Sequence, residues 1–376
     1  MTRVVVGEFL KGENNPKIIG MGEYPTRGLR HGYVVHFDDA VNSVKNAVAM
    51  AEKTSGVKIR RAYVSIGSTS LRGEISSGIA IVSKADGEVT GLDLNKSLEE
   101  AEENLNSQNK RIIHTFPLAH KLDGRDVEGR LEGMRGTKLE TKALFVTCSN
   151  QHCEDLAEVV TLAGVDPIEL IASPIAASHI ALSAKQKVAG GAIVNIGAET
   201  VSMAVYENEH PISVHTFSIG GDDVTNDIAL GLKIPLEKAE NLKLGNGLEE
   251  FPKKKLDEII DARLSDIFEL IDNHLKKIKR SELLPAGIVF VGGGANTVGL
   301  EELAKDTLRL PSVVGSTDMF GLNKTKLKDP AYFTALGLVV SNQDVGGYAS
   351  GGSGSFEKIL KDLKSTLKSG LKQLMP

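Results

Sequence analysis

Three glycine-containing turns in the second half of the chain most restrict the folds open to this sequence. They lie within residues 195–200, at 220–221 and at 292–294, and each follows an apolar stretch typical of a β-strand. Backbone amides in such turns can approach a phosphate group closely, and a helix that begins after the turn adds its dipole. One such turn is equally typical of ordinary chain reversal, but three at strand ends in one half favour a nucleotide-binding α/β protein.

The order of the predicted elements indicates two similar halves. Residues 1–83 begin with strands and continue into a helix whose apolar positions recur at three- and four-residue spacing. A second strand meander begins at residue 191 and is followed by helices over 222–280. Between the halves, residues 84–149 combine an acidic helix with short strands, which predicts a small α+β insertion.

The overall charge and the cysteine content argue against several classes of protein. The chain has 44 Lys and Arg against 49 Asp and Glu, a net charge of −5, which does not favour a nucleic-acid-binding surface. Cys148, His152 and Cys153 provide only three potential ligands, so the sequence predicts no zinc site and a reduced cytoplasmic protein. No run of 18 apolar residues occurs, and the N-terminus lacks the pattern of a signal peptide.

The C-terminal segment has a charge opposite to that of the remaining chain. Residues 355–376 carry five lysines and two acids, a net charge of +3 that leaves −8 for the rest, and a Gly- and Ser-rich linker over 344–355 precedes them. The apolar spacing predicts an amphipathic helix that lies in a membrane interface with its lysines toward anionic headgroups. The alternatives are a helix docked on the body of the protein and a coiled coil. The predicted membrane-binding residues are Phe356, Lys358, Ile359, Leu360, Lys361, Leu363, Lys364, Leu367, Lys368, Leu371 and Leu374.

Five motifs, in their order along the chain, resemble the FtsA family of bacterial cell-division proteins, which belongs to the superfamily of actin, hexokinase and Hsp70. The resemblance covers nearly the whole chain, and the motifs are specific as an ensemble. They are Pro-Thr-Arg-Gly-Leu-Arg-His-Gly at 25–32, the turns at 122–124 and 133–136 after Pro117, the run Gly-Gly-Asp-Asp-Val-Thr-Asn-Asp-Ile-Ala-Leu-Gly at 220–231, Ile-Asp-Ala-Arg at 260–263, and the strand and glycines at 284–294.

The resemblance implies an α/β chain with the actin-like two-domain ATPase fold, an inserted small α+β subdomain and a C-terminal amphipathic helix. It also implies where each unit lies along the chain. The expected units are a first actin-like domain over 1–83 and 150–185, the inserted subdomain over 84–149, a second actin-like domain over 186–343 with a small subdomain near 235–285, the linker over 344–355 and the helix over 356–375.

The family resemblance further implies a cell-division role. Such a protein binds ATP, self-associates into filaments and anchors FtsZ, the tubulin-like division protein, to the cytoplasmic face of the membrane as a peripheral protein. FtsZ would bind the small subdomain near 235–285, although no motif identifies single contact residues. A single amphipathic tail binds a membrane weakly, and a filament that presents many tails converts this weak binding into avidity.

The nucleotide contacts of the superfamily fall on particular residues of this chain. The second phosphate loop corresponds to Asn195, Gly197, Ala198, Glu199 and Thr200, where Asn195 replaces the usual Asp and two glycines are lost. An Asn side chain brings no charge to organise Mg²⁺ and water, so at most weak ATPase activity with Mg²⁺-ATP is expected, and no catalytic residue is assigned. The remaining expected contacts are Gly220, Gly221, Glu240, Lys243, Gly292, Gly293 and Gly294.

The start of the chain departs from the superfamily pattern. The superfamily begins with a central strand and an Asp-x-Gly-Thr phosphate loop, whereas residues 2–6 here resemble its second strand, so the first strand is apparently missing. Removal of a central strand leaves buried backbone groups unpaired, at a cost of about 1–3 kcal/mol each. We therefore expect either an upstream segment of about 10 to 20 residues that supplies the strand, or a degenerate relative that binds nucleotide poorly.

Two other functions fit parts of the sequence. A pilus-assembly scaffold of the PilM type shares the superfamily and also has an inserted subdomain, but the basic tail after a linker speaks against it. A small-molecule kinase of the same fold would need an Asp acting as a base near the phosphates. The acidic pair at 222–223 instead lies in a run that the FtsA resemblance explains.

Overall fold

The computed structural model describes residues 1–10, 15–248, 251–317 and 325–344. Within these ranges, none of the helices combines the length and the apolar composition that a membrane-crossing segment requires. The tail helix expected over 356–375 and its membrane-binding residues lie outside the described ranges.

Groups of strands are followed by helices along the described chain, and the predicted bounds of the domains stay a prediction. The strands are β1 Thr2–Glu8, β2 Lys17–Tyr24, β3 Leu29–Arg30, β4 Tyr33–Val34, β5 Arg61–Ile66, β6 Arg72–Ile81, β7 Lys110–Leu122, β8 Arg125–Val127, β9 Lys138–Ser149, β10 Asp166–Ala172, β11 Gly191–Ile196, β12 Val201–Glu207, β13 His210–Phe217, β14 Ile288–Val291 and β15 Ser312–Val314. The helices are α1 Phe37–Ser55, α2 Gly91–Glu103, α3 Asn150–Leu162, α4 Ser173–Ala181, α5 Ala184–Ala189, α6 Gly221–Leu232, α7 Leu236–Lys243, α8 Lys253–Lys277, α9 Leu300–Leu308, α10 Thr325–Lys328 and α11 Phe333–Asp344.

The first half contains two larger two-stranded sheets among the described residues, besides the short antiparallel pair of β3 and β4. β1 and β2 form an antiparallel hairpin, and β5 pairs with β10 in parallel. Helix α11 packs against both β1 and β5, and it lies so close to α4 that a Cβ at Gly337 would overlap the carbonyl oxygen of Ala176. No described strand joins the two sheets, and a further strand that would do so stays a prediction.

One nine-stranded sheet runs from the second half into the insertion, in the order β15-β14-β11-β12-β13-β6-β9-β7-β8. β11, β14 and β15 are parallel to one another, whereas β11, β12 and β13 form an antiparallel meander. The only paired residues between β13 and β6 are His215 and Arg72, so the two parts of the sheet meet at a single point. β6 then pairs with β9 over its whole length and therefore belongs to the sheet of the insertion, while the boundary at residue 84 stays a prediction.

Helix α8 covers one face of the second-half sheet. Its apolar residues recur at three- and four-residue spacing and are buried on one side of the helix, as a helix that packs on a sheet requires. Phe268 stacks at a tilt on Phe290 of β14, with ring centroids 5.7 Å apart. This core fixes the end of β14, from which the third glycine turn begins. The buried residues of α8 are Leu256, Ile260, Leu264, Ile267, Phe268, Ile271 and Leu275.

The carboxylate of Asp93 closes the start of α2 in the insertion. It accepts hydrogen bonds from the Thr90 amide at 2.9 Å, the Thr90 hydroxyl at 2.7 Å and the Ser83 amide at 2.9 Å. Burial of the carboxyl opposes its ionisation, but the hydrogen bonds from Thr90 and Ser83 outweigh this effect and lower the pKa of Asp93 to about 2. The same group thus caps the helix and joins it to the end of β6.

We expect Asp93→Asn to destabilise the insertion by about 1–3 kcal/mol at neutral pH, because the amide cannot accept all of these hydrogen bonds. The pKa of Asp93 is lower in the folded chain than in the unfolded one. Its stabilising effect is therefore complete above about pH 4 and is lost as the pH falls toward about 2. Urea unfolding at several pH values measures the difference between variant and wild type, which should shrink over that range.

Asp126→Asn serves as the control, because the Asp126 side chain is 77% exposed and pairs with Lys121 at 3.4 Å on the surface. A destabilisation by Asp93→Asn that is no larger than that of this control would contradict the capping role.

Candidate functional site

The turn between β11 and β12 is joined to the start of α6. The amide of Gly197 donates to the carbonyl of Thr200 at 2.8 Å and closes the turn. The amides of Gly221 and Asp222 donate to the carbonyls of Gly197 and Ala198, each at 2.8 Å. These bonds use the first free amides of α6 to hold the helix end against the turn. The amides of Ala198 and Glu199 donate to no other described residue and remain available to a ligand.

Close packing excludes a side chain at residue 220 and leaves little space for one at residue 221. A Cβ at Gly220 would lie 2.3 Å from the carbonyl oxygen of Ala198, which no side chain allows. A Cβ at Gly221 would lie 3.3 Å from both the Gly197 oxygen and the Cα of Gly294. The sequence pattern at 220–221 therefore reflects the contact between three backbone segments at one point.

The third glycine turn, after β14, packs against the first turn. Gly292 has a φ of 88°, and a Cβ there would lie 2.3 Å from Oδ1 of Asn195. A Cβ at Gly294 would lie 2.3 Å from Cγ2 of Ile196, whereas Gly293 has nothing within 4 Å of that position. Two of the three glycines thus serve the packing of the turns, and the space next to Gly293 is open.

Lys243 of α7 is buried and fully engaged with the start of α6. Only 3% of the residue is exposed, and its Nζ donates to the Gly221 carbonyl at 3.1 Å, the Thr225 hydroxyl at 2.9 Å and Glu240 at 2.6 Å. Thr225 in turn donates its hydroxyl hydrogen to the Glu240 carboxylate. The Glu240–Lys243 pair is therefore part of a network rather than an isolated surface ion pair. Thr225 was not among the predicted site residues, although it lies in the 220–231 run, one helical turn after Gly221.

The side chain of Glu199 contacts the first half of the chain. Its carboxylate accepts the backbone amide hydrogen of His31 at 2.6 Å, and Nδ1 of His31 lies 3.1 Å from the Glu199 carbonyl oxygen. Sequence reasoning missed His31, because nothing in the 25–32 motif indicates a partner so distant in sequence. The hydrogen bond from His31 partly offsets the negative charge that Glu199 brings to the turn.

The surroundings of the start of α6 raise the pKa of Asp222. This residue was not among the predicted site residues. Burial raises the pKa of its carboxyl, Lys243 lowers it, and the charges of Glu240 and Glu199 raise it further. Asp223 instead caps α6, because its carboxylate accepts the amide hydrogen of Gly220 at 2.8 Å. Neither carboxylate is placed as an isolated base.

Asn195 is held at the end of β11 by its side-chain amide, which donates to the Thr334 hydroxyl of α11 at 3.3 Å.

No group of three or more His, Cys, Asp or Glu side chains in the described residues is arranged to hold a metal ion. The turns therefore fit a phosphate-bearing ligand through backbone amides and a helix end. A Mg²⁺ ion would have to arrive with the phosphates and keep most of its water.

Comparison with known proteins identifies the family. The model of "Cell division protein FtsA" matches residues 192–337, and that of "SHS2 domain inserted in FTSA" matches residues 68–147. Cell division protein FtsA of Bacillus subtilis is 30% identical over 360 residues, which span 90% of this chain and 80% of that protein. The chain belongs to the FtsA family of cell division proteins.

Other FtsA proteins and one solved structure extend the comparison. FtsA of Pseudomonas aeruginosa is 28% identical, over 89% of this chain and 85% of that protein. FtsA of Escherichia coli is 26% identical, over 89% of this chain and 86% of that protein. The structure of the PilM–PilN type IV pilus biogenesis complex has a TM-score of 0.65 at 19% identity and covers 90% of this chain and 94% of its own. This likeness shows the fold alone. The actin-like ATPase fold with an inserted SHS2 domain is confirmed.

We expect Glu199→Ala to loosen the contact between the first half and the FtsA-family turn at 197–200. Because the His31 amide loses a charged acceptor, its hydrogen–deuterium exchange should become about tenfold faster or more. Glu302→Ala, on the exposed side of α9, is the control and should leave that amide unchanged. Equal exchange of His31 in both variants would show that other contacts hold the two halves together.

Proposed function

We propose that this FtsA-family chain is an ATP-binding cell-division protein that assembles into filaments and anchors FtsZ to the cytoplasmic face of the membrane. Family membership supports the cell-division role. The observation that supports the nucleotide proposal is the meeting of three glycine turns at the first turn of α6. The Gly221 amide donates to Gly197, and a Cβ at Gly221 would lie 3.3 Å from the Cα of Gly294.

The phosphates of the nucleotide would lie at the turn between β11 and β12. The free amides of Ala198 and Glu199 and the positive end of the α6 dipole supply donors there without a charged side chain. Gly197, Thr200, Gly220 and Gly221 shape the backbone around this point. Glu199 keeps its carboxylate on His31 and contributes only its backbone.

The nucleoside would lie between α7 and the turn after β14. Gly293 faces open space, and Glu240 keeps 44% of its side chain exposed beside the buried Lys243. The free carboxylate oxygen of Glu240 suits a ribose hydroxyl, which is a hydrogen-bond donor. Lys243 has its donors on protein atoms, so its role is to position Glu240 and the start of α6 rather than to neutralise phosphate.

ATP hydrolysis by this site would be weak. Mg²⁺-bound phosphates react fastest when a carboxylate organises the metal and the attacking water. Asn195 cannot supply that charge, and its amide already contacts Thr334. ATP binding then serves mainly to hold the first and second halves in one arrangement, which is the state that a filament would repeat.

The attachment to FtsZ and to the membrane rests on the family and on the sequence of the tail. FtsZ would bind the small subdomain near 235–285, which contains α7 and α8. The net charge of +3 over 355–376 and the apolar spacing suit an anionic membrane surface. Filament formation would bring many such tails to one surface.

The pilus scaffold remains a second candidate only at the level of fold. The PilM–PilN complex shares the fold over 90% of this chain, whereas the FtsA relatives share sequence over a similar length. A kinase activity has less support, because Asp223 caps a helix.

We expect Lys243→Met to weaken ATP binding by about tenfold, because it removes the charge that positions Glu240 and the first turn of α6. Titration of a fluorescent ATP analogue measures the affinity, and thermal unfolding confirms that the variant is folded. Lys255→Met, at the exposed start of α8, should bind ATP like the wild type. Unchanged affinity of Lys243→Met would contradict the placement of the nucleoside.

Deletion of residues 355–376 should abolish co-sedimentation with liposomes that contain anionic phospholipid, because it removes the cationic amphipathic segment. FtsZ from the same organism should pellet with liposomes only in the presence of the full-length chain. Equal pelleting of the full and the shortened chain would refute the membrane anchor. Failure of FtsZ to pellet with membrane-bound full chain would favour the pilus scaffold.

A further inference from the structure

One edge of β6 in the inserted domain has no strand beside it among the described residues. β6 pairs with β9 from Arg72 to Ile81, but on its other side it meets β13 only at Arg72, where the partner is His215. β13 is still close at Gly73, since a Cβ there would lie 2.8 Å from the Val214 amide nitrogen. From Ile75 to the end of the strand, the edge is open.

The alternation of an antiparallel ladder shows which backbone groups face this edge. The amide of Ile79 donates to the Glu100 carboxylate at 2.7 Å, and the Ser77 carbonyl accepts from the Asn104 side chain at 3.0 Å. Neither group can therefore belong to the β6–β9 ladder, so the odd-numbered residues of β6 direct their amides and carbonyls outward. Glu100 of α2 and Asn104, which directly follows the helix, thus bind two backbone groups of an edge strand that has no other strand beside it there.

The side chains of the same odd-numbered residues form an exposed apolar row. Ile75 is 51% exposed, Ile79 41% and Ile81 64%. The opposite face of β6 is covered by α2, which lies so close that a Cβ at Gly78 would be 2.2 Å from the Ser97 carbonyl oxygen. An added strand would displace the Glu100 and Asn104 side chains from the Ile79 amide and the Ser77 carbonyl. It would then have outward backbone groups to pair with, apolar neighbours on one face and the flank of α2 on the other.

The flank of α2 along this edge is acidic. Glu100 and Glu103 lie on the side of the helix that faces the edge, Glu99 lies beside them, and Lys96 is the only cation on that side. Three acids against one lysine leave a net negative charge on this flank. The last turn of α2 contains no basic residue, so its acids also lie at the negative end of the helix dipole. This net negative charge favours a positively charged occupant.

We propose that the open edge of β6 binds an extended segment of a partner protein in which apolar residues alternate with Lys or Arg. The segment adds an antiparallel strand to the sheet of the inserted domain by backbone hydrogen bonds. Its apolar side chains lie beside Ile75, Ile79 and Ile81, and its basic side chains reach Glu100 and Glu103. Neither the nucleotide nor the membrane and FtsZ proposals use this edge.

A second copy of the chain suits the edge less well. Two β6 edges paired about a two-fold axis would place the two α2 helices side by side on the same face of the joined sheet. Glu100 and Glu103 of the two copies would then approach one another with like charge, which destabilises the pair. The electrostatics of α2 therefore favour a basic peptide over self-pairing.

The test uses the full chain and the acetylated, amidated peptide Lys-Val-Lys-Val-Lys-Val-Lys with a fluorescent label, measured by anisotropy. In a strand bound antiparallel to β6, a Val residue opposite an isoleucine shares its face and directs its amide toward β6. A peptide N-methylated at its three valines keeps every side chain and every charge but cannot donate these hydrogen bonds. It should bind about tenfold more weakly or worse.

Matched protein variants locate the site. Ser77→Pro removes one outward amide without affecting the β6–β9 ladder and should weaken binding of the unmodified peptide, and circular dichroism checks its fold. Glu103→Gln should weaken binding several-fold at low salt and less at high salt, whereas Glu102→Gln, on the opposite flank of α2, should not.

Equal binding of the plain and N-methylated peptides, or equal effects of the Glu102 and Glu103 variants, would overturn the proposal. The peptide comparison decides the matter even if Ser77→Pro fails to fold. Sedimentation velocity of the chain alone addresses the second copy. Self-association that Ser77→Pro abolishes, without binding of the peptide, would assign the edge to another copy of the chain and also overturn the proposal.

Discussion

The hydrogen bonds from the first turn of α6 to the turn at 197–200 are the contact on which the rest of the site depends. They leave no room for a side chain at Gly220 and little at Gly221, and this close approach brings Gly294 and the buried Lys243 to the same point. The interior of the sheet below, with Phe268 on Phe290, fixes the direction of the strands that lead into these turns. A rigid scaffold thus presents backbone amides, and few side chains take a direct part.

Much of this arrangement is readable from the sequence, because glycines at strand ends are needed both for close packing and for access to a ligand. The three turns, the order of elements and the pair Glu240 and Lys243 follow from local pattern and from family resemblance. The boundaries within the insertion depend on contacts that the local pattern does not contain. The acidic helix begins at Gly91, because the Asp93 and Thr90 cap sets its start. Instead of the short strand that the sequence predicts, β9 extends over Lys138–Ser149, because pairing with β6 and β7 on both sides lengthens it.

Contacts between distant parts of the chain could not be predicted in the same way. From the sequence alone, the carboxylate of Glu199 is expected to repel a phosphate. In the structure, this carboxylate accepts a hydrogen bond from the His31 amide in the other half of the chain. Asn195 likewise contacts Thr334, a residue 139 positions later. Such pairs depend on how the halves fold together, and neither residue type nor spacing encodes them in a single sequence.

Helix α11 has a mechanical consequence for a protein of this family. It packs tightly on α4 through Gly337, touches β1 and β5, and carries Thr334 against Asn195 at the candidate phosphate turn. The chain continues from the end of this helix into the cationic C-terminal segment. A tensile load applied to that segment would enter the body through α11. It would be shared between the first-half sheets and the candidate phosphate turn, so that pulling on the segment and a ligand bound at that turn would act on the same helix.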